Sequence, residues 1–341
     1  MIIDYKLPVE EIFRRFAEAT IQRDGNLYII QANGCQLSLT SLPSWVPDLS
    51  ISIPLGTLPV PVNYPFSRFE KFTLRHTDGS ISSTSTTGLP QKTLPGLNFR
   101  PDGALVICGK LIDTISAIGP KLPSETTYAP RATDKETDDG PCAFTDVFEQ
   151  WESLAVSLVP GWGRFLPSSV TAAFAVTLVA CEGIIENLEG VMDRGYSINA
   201  QAFASWYRLC GTGVLEAADP TSYLRDVEVF MEWSGTEDAE LAGTDPEKLH
   251  NRTLKYAGEM EYTIYDRCFY VTEGGSMGLA TPGARVGDRI AYIPGAYHPY
   301  VMRPLDKQGE WTMHGDCYLY GLDVYKLFED DQQLVEEFVI R

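Results

Sequence analysis

The spacing of the apolar residues changes near Arg267. Between about residues 145 and 265 they recur every three or four positions, which is typical of helices. After Arg267 they fall in short, alternating segments separated by glycine-containing turns, which predicts strands. Several short strands in succession predict a small antiparallel β-barrel or curled sheet. The four predicted strands are Cys268 to Thr272, Asp288 to Ile293, Tyr297 to Arg303 and Trp311 to Leu319.

The N-terminal part supplies a helix and further strands. Pro8 and Asp24-Gly25 bound an amphipathic helix. The prolines between Leu42 and Pro65 lack backbone donors, so this stretch is predicted to run extended along the surface, held by Trp45. The segments that follow are predicted as strands at Arg68 to His76 and Leu105 to Ile118, with a Ser/Thr/Gly loop at Ser80 to Gly88.

Five helices are predicted in the middle of the chain, and N-cap residues begin three of them. They cover Thr145 to Leu154, Val170 to Glu186, Asn199 to Cys210, Pro220 to Trp233 and Pro246 to Glu261. The fold class is therefore predicted as α+β, a single large domain over residues 1–341. It divides into a helix with extended and strand segments (1–144), a central helical insertion (145–265) and a β-rich module (266–341) whose strands pair with N-terminal strands.

The composition excludes several classes of partner. The 341 residues carry a net charge of -19, which repels phosphate backbones and anionic lipid, so no nucleic acid and no membrane partner is expected. The longest apolar run, Val170 to Ala180, is too short to span a bilayer, and the N-terminus lacks a signal peptide pattern. The seven cysteines are scattered, which favours free thiols and a cytoplasmic location.

No cofactor or metal motif is present in the sequence, so none is predicted. Gly274 to Gly278 fits G-x-S-x-G, but Pro282-Gly283 stands where a hydrolase elbow needs a helix. We therefore interpret it as a glycine turn. Gly211-Thr212-Gly213 lacks the third glycine and the preceding strand of a dinucleotide site.

The strongest candidate site lies on the last predicted strand. There His314, Asp316, Tyr318 and Tyr320 would share one face, with Met313, Cys317 and Leu319 on the other. The face could donate protons or hydrogen bonds to a ligand, or it could simply face water. Whether Tyr297 and Arg303, or His298 and Tyr300, join it depends on a one-residue register. The candidate catalytic residues are His314, Asp316, Tyr320 and His298; the candidate substrate-binding residues are Tyr297, Tyr300, Arg303, Trp311 and Tyr318.

Seven segments along the chain belong together: Asp4 to Ile21, Leu42 to Asp48, Leu105 to Pro120, Phe269 to Ile290, Tyr300 to Leu305, Gly315 to Leu322 and Glu337 to Arg341. The most specific parts are the tryptophan-proline segment and the run T-E-x-G…G-L…P…G-D. Together, and in this order, the segments resemble the C-terminal region of fungal heterokaryon-incompatibility (HET) domain proteins.

The resemblance implies a chain that lacks the HET domain itself, the part held to trigger the non-self response. It also implies that this chain departs from the family on the candidate strands. His314 stands for an aliphatic residue, Asp316 for glutamate and Tyr320 for histidine, while His298 and Tyr300 stand for apolar residues.

Two functions follow as expectations. The first is a cofactor-independent cyclase or isomerase, such as a pericyclase of the Diels–Alder type, acting on a hydrophobic secondary metabolite. Such a site needs an apolar cavity and one or two hydrogen-bond donors. The second is a recognition or regulatory module of non-self signalling without catalytic activity, which would present an exposed apolar patch. A homo-oligomer is left open.

Overall fold

The computed structural model describes residues 6–32, 39, 41–51, 58, 71–75, 80–85, 94, 96–122, 143–158, 168–180, 256, 258, 260, 263–322, 327 and 334–341. The helices are α1 (Val9–Asp24), α2 (Ala143–Ser157) and α3 (Ser168–Val179), with a short 3-10 helix at Tyr28–Ala32. Among the residues described, no helix has the length and apolarity needed to cross a membrane. The strands are β1 (Lys71–Arg75), β2 (Ile81–Ser85), β3 (Asn98–Phe99), β4 (Leu105–Lys121), β5 (Cys268–Thr272), β6 (Met277–Ala280), β7 (Arg289–Tyr292), β8 (Tyr300–Pro304), β9 (Glu310–Leu319) and β10 (Leu334–Ile340).

The strands form one mostly antiparallel sheet in the order β2-β1-β10-β4-β5-β6-β9-β8-β7. Strand β7 also pairs with β4, so the strands β4, β5, β6, β9, β8 and β7 are paired in a closed cycle, here called the strand ring. Strand β10 pairs with β4 and, in parallel, with β9 and β1. The sheet thus joins C-terminal to N-terminal strands, as predicted.

The length of β4 allows the ring to close. Its 17 residues pair first with β10, then with β7 and finally with β5. The register shifts between Leu111 and Asp113 and again between Ile115 and Ala117. Such bulges increase the bend and twist of a strand, so one strand can contact both neighbours of the ring.

The inside of the strand ring is filled by side chains, with at least one from each of its six strands. Tyr270 brings a hydroxyl into this ring core, and the hydroxyl donates to the Tyr318 carbonyl oxygen at 2.9 Å. A ring this small has room for its own side chains and little else. Its buried residues are Ile115, Tyr270, Ala280, Ala284, Ile290, Val301, Cys317 and Leu319.

The helices α2 and α3 cover the outer face of β5 and β6. Trp151 is fully buried, stacks on Phe269 with ring centroids 6.1 Å apart, and donates its indole N–H to the Pro120 carbonyl oxygen at 2.9 Å. Gly119 makes this approach feasible, since a Cβ there would lie 2.5 Å from the indole. The first predicted central helix is confirmed, and the second is confirmed as far as Val179.

A second outer core lies between β7–β10 and the N-terminal segments. Trp45 is fully buried, packs on Phe99 and donates to the Gly103 carbonyl oxygen at 2.9 Å. The prediction that Trp45 anchors its segment is thus confirmed. The described part of the segment, residues 42–51, is not merely laid on the surface, because Leu42 and Val46 are buried with Trp45. Residues 52–57 and 59–65 of the segment lie outside the described residues.

Some sequence predictions need correction. The Ser/Thr segment predicted as a loop forms β2, because its backbone pairs with β1 from Lys71↔Ser85 to Arg75↔Ile81. The segments of β6 and β10 were not predicted as strands. The predicted helices at 199–210 and 220–233 lie outside the described residues, as do residues 181–186 of the second helix and residues 246–255, 257, 259 and 261 of the fifth. The full extent of the helical insertion therefore stays a prediction.

Candidate functional site

Strand β9 changes face at Gly315. Its φ of +95° lies in the left-handed region that favours glycine, and the register with β8 shifts there. Met302 pairs with Met313, but Tyr300 pairs with Asp316, so β9 carries one extra residue. This is a β-bulge. Every side chain of β9 after the bulge therefore lies on the face opposite to the one that uninterrupted alternation would give it.

The bulge corrects the predicted face. Cys317 lies in the ring core, and Tyr318 packs on the outer, helix-covered core with Tyr320. His314 precedes the bulge, on the same side as Thr312, and Arg303 lies opposite Thr312 across β8 and β9. His314 therefore does not share a face with Asp316, Tyr318 and Tyr320. Of the alternative sets, Arg303 joins His314, whereas Tyr300 joins Asp316.

A polar group stands at one end of the ring core. We call it the mouth cluster: Gly283, Asp288, Arg303, Thr312 and His314. Arg303 binds Asp288 through two N–H groups at 2.7 and 2.8 Å and donates to the Gly283 carbonyl oxygen at 2.9 Å. Nε2 of His314 lies 3.1 Å from the Thr312 hydroxyl. Val301 lies two residues before Arg303 on β8, and Ile290 lies two residues after Asp288 on β7; both are in the ring core. Since side chains two residues apart on a strand share a face, the cluster continues the ring's inner face.

His314 is neutral at physiological pH. Burial is the main cause, and the nearby Arg303 guanidinium adds to it; together they lower the pKa of His314 to about 4. Arg285 acts in the same direction and the Asp288 carboxylate in the opposite one. A neutral imidazole offers one acceptor and one donor nitrogen, so it can take a proton or donate a hydrogen bond.

Acid should destabilise the protein through His314. The folded-state pKa of about 4 lies below the ordinary 6.5, so the unfolded chain binds the proton more readily. The contribution is complete above pH 6.5 and is lost as pH falls towards 4. Allowing for solvent screening, we expect a loss of about 1–2 kcal/mol from this residue. Urea unfolding of wild type and His314→Gln at pH 7 and near pH 4 measures it; equal pH slopes in both proteins would contradict it.

Asp316 is held in a buried ion pair. Arg267 donates to its carboxylate at 2.8 Å and to its backbone carbonyl oxygen at 3.3 Å, and both side chains are 4% exposed. Arg267 lies directly before β5, so the pair links the start of β5 to β9 on the outer side of the ring. With this partner, Asp316 is placed to stabilise the ring rather than to meet a ligand at the mouth cluster.

The other polar candidates lie on β8 or directly before it, and two of the three are buried. Tyr300 is fully buried and donates to the Leu27 carbonyl oxygen at 3.3 Å. Burial, with a smaller contribution from Asp316, raises the pKa of Tyr300 well above its ordinary value. His298 is also buried. Tyr297 is half-buried and meets Tyr28 edge-on, with ring centroids 5.7 Å apart.

Trp311 and Tyr318 are half-buried and contribute to packing. The Trp311 ring meets the ring of Phe338, which lies on β10, edge-on, with ring centroids 5.6 Å apart. Tyr318 packs under the helices together with Tyr320, which is half-buried at the end of β9. Of the nine predicted site residues, the structure brings His314 and Arg303 together at the mouth cluster. Four others pack on the two outer cores, namely Tyr318 and Tyr320 under the helices and Tyr300 and Trp311 in the second outer core.

Three residues of the mouth cluster were missed by sequence reasoning. Asp288 is the acidic residue of the G-D pair in the resembling run, so a signal was present. Thr312 could have been found from its i, i+2 relation to His314. Gly283 carried no signal. Within the described ranges, no three His, Cys, Asp or Glu side chains are grouped so that they could hold a metal ion.

The G-x-S-x-G segment forms the turn between β5 and β6. Thr272 N–H donates to the Ser276 carbonyl oxygen, and Ser276 N–H donates to the Thr272 hydroxyl, at 2.9 and 3.0 Å. Gly274 N–H donates to Asp113 at 3.2 Å. A strand follows the turn instead of a helix, so the interpretation as a glycine turn is confirmed.

Comparison with known families identifies part of the chain. Residues 234–337 match the family model described as the Het-6 beta-barrel domain. The C-terminal region is therefore similar to a Het-6 beta-barrel domain. The predicted resemblance to the C-terminal region of HET domain proteins is thereby confirmed for these residues. No curated protein and no solved structure matches the chain. The mouth cluster lies wholly within the matched residues, whereas β4, which closes the strand ring, lies outside them.

Proposed function

We propose that this protein is a cofactor-independent isomerase or cyclase, of the pericyclic Diels–Alder type, that acts on a hydrophobic small molecule of fungal secondary metabolism. The observation that carries the proposal is the neutral imidazole of His314 beside the Arg303 guanidinium at the open end of a packed ring. The ring supplies rigidity, and the reaction would take place at its mouth.

The mouth cluster suits redox-neutral chemistry. His314 can take a proton from one atom of a substrate and return it to another, so no proton is gained or lost overall. Arg303 is held by two hydrogen bonds to Asp288, so its charge is already positioned to stabilise an oxygen that becomes more negative. For a pericyclic step the same donors would hold a carbonyl in the reactive conformation.

An apolar contact stands in the same segment as Gly283. Val286 is 61% exposed, the most exposed of the large apolar side chains described. A hydrophobic substrate could cover it while its polar end reaches the mouth cluster. The net charge of -19 supports a partner other than nucleic acid or an anionic membrane. Assembly into a homo-oligomer stays open.

The test is a comparison of metabolites. Deleting the gene in the native host is expected to remove one metabolite and accumulate an isomer of equal mass, because an isomerisation changes no atoms. Wild-type protein and the surface variant Lys307→Gln should restore the product. His314→Gln should restore it at about 100-fold lower rate or less, the usual contribution of a general acid or base. Liquid chromatography with mass spectrometry measures both isomers.

Two results would count against the proposal. One is an unchanged metabolite profile in the deletion strain. The other is full restoration by His314→Gln, with the folded state of each variant checked by circular dichroism. Either result would mean that His314 does not catalyse the proposed reaction.

A recognition module is the second candidate. The filled ring core favours it, because a scaffold without a cavity inside the ring would suit a binding surface. An altered non-self response in the deletion strain, with an unchanged metabolite profile, would support this function over the first.

A further inference from the structure

Gly283 leaves one nitrogen of His314 open. Nε2 of the imidazole is occupied by the Thr312 hydroxyl at 3.1 Å, whereas Nδ1 has no hydrogen-bond partner among the described residues. A Cβ placed on Gly283 would lie 3.4 Å from Nδ1. Because glycine has no such side chain, no methyl group covers Nδ1 at this position, and we infer that the space beside Gly283 is the opening through which an atom of a ligand reaches Nδ1.

Arg303 has a free donor close to this opening. Its Nε and Nη2 are occupied by Asp288 and by the carbonyl oxygen of Gly283 itself. Within the described part of the chain, Nη1 has no hydrogen-bond partner, and the side chain is 25% exposed. The Arg303 guanidinium thus holds the Gly283 backbone through Nη2 and keeps the charged N–H groups of Nη1 available for a ligand.

The charge around the opening differs from that of the whole protein. Three charged groups act on the imidazole: the cations Arg303 and Arg285, and the carboxylate of Asp288. Two cations against one carboxylate leave the mouth locally positive in a chain of net charge -19. The neutral His314 adds no charge, but it can share a proton with an anion.

We propose that the mouth cluster binds an anionic oxygen, a carboxylate or an enolate, which enters over Gly283 and is carried on an apolar body. This inference rests on the site of the proposed function and names its substrate class. Arg303 donates to the anionic oxygen through Nη1, and His314 meets the same group through Nδ1. The apolar body covers Val286, and Gly283 determines which groups fit.

Benzoate and benzamide test the inference because they share one shape and differ in charge. Their binding to the full chain is followed by NMR of the histidine ring carbons. The chain has four histidines, and the His314 signal is assigned by its absence in His314→Gln. Benzoate is expected to bind with a Kd of about 1 mM, at least about tenfold tighter than benzamide. It should also raise the pKa of His314, because a nearby anion favours the imidazolium.

Gly283→Ala is the decisive variant. The new methyl group would stand against Nδ1 without clashing with backbone, so the protein should fold normally while benzoate affinity falls about tenfold or more. The matched control is Gly258→Ala, an exposed helical position where a Cβ has nothing within 4 Å. It should bind benzoate as wild type does.

Three results would overturn the inference: equal affinity for benzamide, unchanged benzoate affinity in Gly283→Ala, or no perturbation of His314 at about 10 mM benzoate. Probe binding needs no turnover, so it is separable from the proposed function. Benzoate binding without isomer formation would contradict the enzyme proposal and leave the anion inference standing. His314-dependent isomer formation without benzoate binding would contradict the anion inference and leave the enzyme proposal standing.

Discussion

Asp316→Asn is expected to lower the free energy of unfolding by about 3–5 kcal/mol. The substitution keeps the shape of the side chain and removes only its charge. Arg267 would then remain almost wholly buried without the Asp316 carboxylate, since both side chains are 4% exposed. Breaking a buried ion pair by removing one of its charges is among the few mechanisms that give losses of this size.

Urea unfolding at pH 7 measures the effect, and a double-mutant cycle with Arg267→Met isolates the pair. The double variant Arg267→Met, Asp316→Asn should be more stable than Asp316→Asn, because both charges of the buried pair are then removed. Lys307→Gln is the control: its ion pair with Glu310 is solvent-exposed on the lysine side and should contribute little. A loss below about 1 kcal/mol for Asp316→Asn would mean that the pair does not hold β5 against β9.

The same ion pair shows what the sequence could predict of the site and what it could not. Asp316 and His314 were both found as polar residues on an apolar strand, and both occupy defined sites. Their assignment to one face was wrong because Gly315 inserts a bulge between them. Glycine inside a strand pattern is a known signal of a bulge, but nothing local specifies whether the ladder shifts there. Arg267 lies far from Asp316 in sequence, so their contact depends on the closed ring.

The fold was predictable where the pattern is local. The strands β5, β7, β8 and β9 follow from the change to a period of two, and the long β4 follows from its β-forming apolar residues. The helix α1 follows from Pro8 and Gly25. Strand β6 was missed because its four residues, Met277–Ala280, show no alternation of polar and apolar side chains. Strand β10 was missed because much of its pairing is made with residues over 200 positions earlier, such as Phe338 with Ile107.

The ring's closure explains one further residue of the G-x-S-x-G segment. Gly278 pairs with Tyr270 on one side and Leu319 on the other. A Cβ at Gly278 would fall inside contact distance of the Tyr318 carbonyl oxygen and 2.5 Å from the Tyr270 ring. The backbone of β9 cannot move away, because it also pairs with β8 and β10. Gly278 is therefore required by packing in the ring and not by nucleophile chemistry.

Gly278→Ala is accordingly expected to destabilise the protein by about 3 kcal/mol or more, at the upper end of overpacking effects, since the clash is with backbone. Ser276→Ala changes the residue that a hydrolase elbow would need, yet its side-chain hydroxyl has no hydrogen-bond partner in the described part of the structure. The urea concentration at the midpoint of unfolding should be the same for Ser276→Ala as for wild type. Thermal and urea unfolding of both variants distinguish the two interpretations. A stable Gly278→Ala protein, or an inactive but folded Ser276→Ala protein, would show that the segment is more than a turn in a tightly packed ring.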